Sequence, residues 1–216
     1  MFGISKKTCP VLENSPEELA LLARAKQGDL DAFALLCEPL REGACKYLVA
    51  SGLAGETDAE DVFSDALLKA LRSLDRFRGS SSFKTWFYTI LRTRALDVRR
   101  MQKSHPTVSF FQTDGDSGEE ISGEISPARI TPIDPCSYTV GSDAELLRKE
   151  LVRCVRETLA RMPERIRSVL ILYYENEFSY TEIAQTLRIP IGTVMSRLHN
   201  GRKKLETLLS DFRPDP

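Results

Sequence analysis

The 216-residue chain has little of what most metal centres and hydrolytic sites are built from: two histidines, one tryptophan and five cysteines, none of them closely paired. A structural zinc site uses Cys and His ligands in pairs at short spacing. Cys9, Cys37, Cys45, Cys136 and Cys154 have no such neighbours, and only His105 and His199 could join them. They read as reduced thiols of an intracellular chain, with no metal and no cofactor. The sequence also lacks a run of about 18 apolar residues, the minimum for a membrane helix, so no membrane insertion is expected. Two lysines near Met1 are not followed by an apolar stretch, which excludes a secretory signal and predicts a cytoplasmic protein. No nucleophile–base pair or phosphate loop is present, so the chain is not read as an enzyme.

What is present is charge arranged in blocks. The net charge is only −1, which on its face argues against a nucleic-acid binder. Yet residues 13–65 hold twelve acids against four bases, and residues 72–103 hold nine bases against two acids. Residues 104–145 then carry eight acids and one base, Arg129, and residues 188–204 carry five bases and no acid. Two separate basic surfaces are therefore expected within a nearly neutral chain.

The hydrophobic pattern predicts an all-α protein of two small helical domains joined by a flexible linker. Residues 1–14 read as a tail. Ser15-Pro16-Glu17-Glu18 supplies an N-cap, a proline at the first helical position and a glutamate at the third. A second helix is expected from Leu30 to Ala50, kinked or interrupted at Pro39. Thr57-Asp58-Ala59-Glu60 reads as another capping box, followed by a buried stripe of Phe63, Ala66, Leu67, Ala70, Leu71 and Leu74. After a Gly/Ser loop, a long helix is predicted from Phe83 to Met101 with Phe87, Ile90, Leu91 and Val98 as its core side. The first domain thus spans residues 15–103. Residues 104–142, with four prolines and many acids, cannot bury enough apolar surface to order alone and read as the linker. The second domain spans residues 143–212, with breaks at Met162-Pro163, near Glu177-Phe178 and at Arg188-Ile189-Pro190.

The C-terminal segment carries a helix-turn-helix pattern. Ser179–Leu187 is one short helix, Arg188–Pro190 a tight connection, and Ile191–Leu205 a second helix. Ile183, Ala184, Leu187, Val194 and Leu198 supply the contacts between them. Thr193, Ser196, Arg197, Asn200 and Arg202 fall at spacings that point outward, where short polar and basic groups suit phosphates and base edges in a major groove. An ordinary helical hairpin with a solvated face usually mixes charge signs; the absence of acid favours nucleic acid.

Two features mark the N-terminal block. Asp58, Asp61 and Asp65 line the exposed side of one helix, either complementing its dipole or docking a basic partner, with Asp65 partly offset by Lys69. Phe83, Trp86, Phe87 and Tyr88 lie among Lys84, Arg92, Arg94 and Arg99. That mixture suits stacking on unpaired bases plus phosphate neutralisation, or a core whose rim is basic. The loop from Arg78 to Ser82, flanked by Phe77 and Phe83, suits capture of a flipped base.

Asp58-Ala-Glu-Asp61, Phe77-Arg-Gly79, Ser82-Phe-Lys-Thr-Trp86 and Asp97-Val-Arg-Arg100 resemble region 2 of sigma-70-type factors. Met162-Pro-Glu-Arg165, Ser179-Tyr-Thr-Glu-Ile-Ala184 and Gly192-Thr-Val-Met-Ser-Arg-Leu198 resemble region 4. Two regions joined by a linker is the extracytoplasmic-function arrangement. The resemblance implies a dissociable specificity subunit of RNA polymerase with no chemistry of its own. Region 2 would dock on the β′ clamp through Asp58, Asp61 and Asp65. It would meet the melted −10 element through Arg78, Ser82, Lys84, Trp86, Arg92, Thr93, Arg99 and Arg100. Region 4 would bind the β flap and read the −35 element through Thr181, Thr193, Met195, Ser196, Arg197, Asn200, Arg202 and Lys203. Core polymerase, promoter DNA and an anti-sigma factor are the implied partners.

The sequence departs from the family pattern at Thr93, where Asn is common, at Met195, where a base is common, and at Asn200-Gly201, where Arg-Ala is common. Arg188 stands where the family usually has glycine; if that position has positive φ, the arginine costs about 1 kcal/mol or more. The alternative reading is a stand-alone helix-turn-helix regulator, which leaves the acidic helix and the Phe-Arg-Gly loop without a role.

Overall fold

The computed structural model describes residues 15–104 and 143–210, and among them every regular element is helical. The tail and most of the linker read from the sequence lie outside the described residues. α1 (Pro16–Lys26) starts on the expected capping box, in which Ser15 and Glu18 satisfy each other's backbone N–H groups. α2 (Leu30–Ala50) is capped by Asp29, whose carboxylate accepts from Ala32 N. It runs through Pro39 without interruption. Proline removes the bond to the carbonyl four residues earlier, and Leu35, which carries that carbonyl, is exposed, so water can take its place.

α3 (Ala59–Arg72) does not begin on a capping box. Asp58 is its N-cap but makes no side-chain cap bond, and Glu60 is turned toward Arg41 at 3.1 Å instead. The stripe on α3 is buried at Phe63, Ala66 and Ala70, while Leu67 and Leu71 are half-buried; Leu74 is buried from a following 3₁₀ turn (Leu74–Arg76). α4 (Phe83–Ser104) buries Phe83, Phe87, Tyr88, Leu91 and Ala95, leaving Ile90 and Val98 at the edge of the core. Edge-to-face aromatic pairs, Phe63–Phe87 at 5.6 Å and Phe33–Phe83 at 6.4 Å, join α2, α3 and α4. Each such pair adds roughly 0.5–1.5 kcal/mol beyond its area.

The C-terminal group comprises α5 (Asp143–Arg161), α6 (Glu164–Tyr174), α7 (Tyr180–Leu187) and α8 (Ile191–Ser210). Breaks fall at Pro163, at Glu177-Phe178 and at Arg188–Pro190, as the sequence predicts. Ser179 and Glu182 form a capping box at the start of α7. Arg188 closes α7 with φ 54° and ψ 49°, so the turn does need the left-handed conformation that glycine would supply without strain. Gly201 has a packing reason: a Cβ there would lie 2.9 Å from Leu170 Cδ1 of α6, so α8 seats directly on that leucine. The two helical groups touch, chiefly through α4 against α7 and α2 against α6.

Candidate nucleic-acid interface

α8 is held by Val194 and Leu198, both fully buried, and by the close approach at Gly201. This fixes which of its residues face outward. Met195, Ser196, His199, Asn200 and Lys203 are exposed and recur every three or four residues, so they form one stripe. Thr193 and Arg197 are half-buried at its flank, and Arg197 donates to the Arg165 carbonyl at 3.4 Å. Thr181 is exposed on α7. Arg202 is turned sideways. Its Nε donates to the Tyr174 hydroxyl at 2.7 Å, and its guanidinium lies 5.4 Å from the Tyr173 ring and 5.7 Å from the Tyr174 ring. Burial opposes its charge, but the neighbouring Tyr174 phenol raises its pKa overall. Phenol and cation–π contacts orient this arginine at the rim of the stripe rather than at its centre. His199, weighed in the sequence only as a metal ligand, stands in the middle of the stripe; the i, i+4 step from Met195 to His199 was the signal available for it.

The N-terminal group presents a different picture. Asp61 is exposed and Asp58 half-buried on α3. Asp65 accepts both Nε (3.0 Å) and Nη2 (2.7 Å) of Arg94, so its counter-charge is Arg94 of α4. Lys69 instead approaches Asp97 at 3.8 Å. Both Arg94 donors converge on the one Asp65 oxygen, Oδ2, as charge-assisted hydrogen bonds. The expected apolar walls for a flipped base are not available: Phe77 and Phe83 are 4% and 2% exposed and meet edge to face in the core. Trp86 is half-buried against both rings, at 5.1 and 5.8 Å. Arg78 is exposed beside Gly79, whose φ of 72° turns the loop. Ser82 caps α4, its hydroxyl accepting from Thr85 N at 3.2 Å. Thr93 donates its hydroxyl to the Thr89 carbonyl at 2.7 Å. Arg99 is half-buried, and Arg100 is exposed with Asp97 at 3.5 Å.

Lys84 and Arg92 are engaged across the two groups. Lys84 donates to the Asn176 carbonyl at 2.6 Å and sits 4.8 Å from the Phe178 ring centre. Burial lowers its pKa, and Glu182, Glu177 and Glu18 act in the opposite sense. Arg92 donates to Glu164 Oε1 at 2.8 Å and to the buried Tyr47 hydroxyl at 3.3 Å. Burial works against the charge on Glu164, but Arg92 and the Ser168 hydroxyl hold its carboxyl below the usual range. The far end of the same junction opens into a cleft of about 250 Å³ between Thr93, Asp97 and Arg100 of α4 and Thr186, Leu187 and the capping Arg188 at the end of α7.

Family models match both halves of this arrangement: Sigma-70 region 2 over residues 37–105 and Sigma-70, region 4 over residues 152–205. The ECF RNA polymerase sigma-E factor of Escherichia coli K12 is 31% identical over 186 residues, covering 86% of this chain and 91% of that protein. The ECF RNA polymerase sigma factor SigW of Bacillus subtilis is 28% identical over 193 residues, covering 88% and 96%. Among solved structures, CnrH in complex with the cytosolic domain of CnrY superposes with a TM-score of 0.60 at 23% identity, covering 90% of this chain and 98% of that one. Two matched regions in order, and a relative above 30% identity along most of both chains, lead to one conclusion: the chain belongs to the ECF sigma factors of RNA polymerase and is a promoter-directing transcription initiation factor.

Proposed function

We propose that residues 15–103 dock on the β′ clamp of core RNA polymerase and take the melted −10 strand, and that residues 143–212 bind the β flap and read the −35 duplex. The observation that carries this is the exposed stripe on α8, which bears polar, basic and methionine side chains and no acid. On it, Asn200 offers an amide donor and acceptor that match the adenine edge, and Met195 offers apolar contact to a thymine methyl. Ser196, His199 and Lys203 complete the surface, with Thr181, Thr193, Arg197 and Arg202 at its margins for phosphates. On the other domain, Asp61 with Asp58 and Asp65 forms the core-binding face. Arg78, Ser82, Lys84, Trp86, Arg92, Thr93, Arg99 and Arg100 form the single-strand face. The chain works in the cytoplasm as a non-catalytic subunit, and an anti-sigma factor holds it when transcription is not wanted; the solved relative CnrH is bound to the cytosolic domain of CnrY.

The test is co-purification with core polymerase followed by promoter-directed transcription. Asp61→Lys should weaken core binding at least tenfold, about 1.4 kcal/mol, with helix content retained. Asp61 is the cleaner choice than Asp65, whose removal would strand Arg94. Unchanged core affinity would remove α3 from the docking face, and a chain that never associates with polymerase would end the whole reading.

A further inference from the structure

Three tyrosines gather round one arginine where α6 meets α8. Leu170 and the Tyr173–Tyr174 pair stand three and four residues apart on α6, so they share one face. Gly201 of α8 seats on Leu170, where a Cβ would come within 2.9 Å of Cδ1. That close approach brings the next residue, Arg202, alongside both rings. Its guanidinium lies 5.4 Å from the Tyr173 ring centre and 5.7 Å from that of Tyr174, and its Nε donates to the Tyr174 hydroxyl at 2.7 Å. Tyr173 meets Tyr174 edge to face at 4.9 Å and is backed at 5.4 Å by Tyr180, from the first turn of α7.

Tyr174 is 55% exposed, so little of its ring belongs to the core. What the ring and its hydroxyl do is hold Arg202, and they do so differently from the holders of other arginines. Arg92 and Arg94 are paired with Glu164 and Asp65, whose carboxylates offset their charge. Arg202 is held by neutral phenols. A phenol fixes a guanidinium through one hydrogen bond and the negative face of its ring, and leaves the positive charge for another partner. A free arginine has many rotamers, and losing them on contact with a ligand lowers affinity. An arginine already fixed in the free protein avoids that loss. Ordering a cation without neutralising it suits an anion that arrives from outside. Arg202 stands at the rim of the α8 stripe, which is where a groove-reading helix meets phosphates.

We propose that Tyr174 is a positioning residue for promoter binding: with Tyr173 and Tyr180 behind it, it holds Arg202 ready for one backbone phosphate beside the −35 element. It raises affinity for all sequences alike and takes no part in choosing bases. This rests on the assignment of α8 to the −35 duplex.

The experiment uses holoenzyme reconstituted from core polymerase and the full chain. Its probes are duplexes that wild-type holoenzyme selects from a library randomised through the −35 element. The variants are Tyr174→Ala, Tyr174→Phe, Arg202→Ala and the double variant Tyr174→Ala with Arg202→Ala, each checked by circular dichroism and thermal unfolding. Affinity is measured over a range of salt concentrations. Arg202→Ala should flatten the slope of log affinity against log salt by about 0.9, the signature of one lost phosphate contact. Tyr174→Ala should weaken every duplex about fivefold, the loss expected for ordering one long side chain, with the slope and the ranking of sequences unchanged. Tyr174→Phe keeps the ring and should fall between Tyr174→Ala and wild type. In the Arg202→Ala background, Tyr174→Ala should have no further effect. An equal loss in both backgrounds overturns the proposal, because Tyr174 would then touch DNA or support the fold by itself. If wild type selects a −35 sequence and the tyrosine variants bind it unchanged, positioning alone fails. If wild type selects none, the assignment of α8 fails and the proposal with it.

Discussion

The two surfaces assigned to DNA differ in how their polar groups are spent. On α8 the outward stripe is exposed, and Arg202 at its rim is held by tyrosines that leave its charge in place. On α4 the corresponding groups already have partners: Lys84 a carbonyl, Arg92 a carboxylate, Ser82 and Thr85 the Glu182 carboxylate. A duplex-reading helix can stay exposed, because a rigid scaffold presents it to a preformed groove. A surface for melted strands meets its ligand only after the duplex opens. Until then its donors lose less free energy by binding acceptors of the C-terminal group than by lying idle in a half-buried site.

That contrast can be broken at the scaffold of α8. Gly201→Leu forces a side chain into Leu170 and should cost about 3 kcal/mol, the upper end of overpacking. Hydrogen exchange should show α6–α8 loosened and α1–α4 protected as before, with duplex binding lost. Equal loosening of both groups would mean they are one cooperative unit. Asn200→Ala sharpens the contrast: it should cost about 2 kcal/mol at a single base position and leave stability unchanged, since the side chain is exposed. Competition among duplexes varied through the −35 element measures it. An intact preference would move base reading to His199 or Ser196.

Much of this was legible beforehand because it is local. Proline, glycine and the Ser15–Glu18 box set helix boundaries within a few residues, and the period of α3 marked its buried side. The misreadings share a cause. Glu60 and Asp65 looked like partners of residues three or four away, but their charges are met by Arg41 and Arg94, 19 and 29 residues distant in sequence. Phe77 and Phe83 looked like loop aromatics and are core, because α1 and α2 fold over them; Lys26 of α1 even donates to the Phe77 carbonyl at 2.7 Å. Spacing reports what lies along one helix, and not what another helix brings. For the same reason nothing in the sequence marked Lys84 and Arg92 as already engaged.

Two smaller effects complete the comparison. Arg188→Gly should raise the thermal stability of the C-terminal group by about 1 kcal/mol, because it relieves the left-handed strain of a non-glycine residue. Calorimetry of the full chain tests it, and no gain would show that the Arg188 side chain compensates through contacts of its own. The pH dependence should be smaller still. The Glu164 carboxyl, held below its ordinary 4.5 by Arg92 and Ser168 against its burial, supports the α4–α6 contact fully above pH 4.5 and loses that support as pH falls through its lowered value. Thermal unfolding should therefore show stability falling only once the pH drops below 4.5, and Glu164→Gln should flatten that response.

Glu182 has a consequence for how such a chain can change over generations. Because its two oxygens serve different neighbours, a substitution there alters two traits at once: the start of α7 and the grip on Ser82 and Thr85.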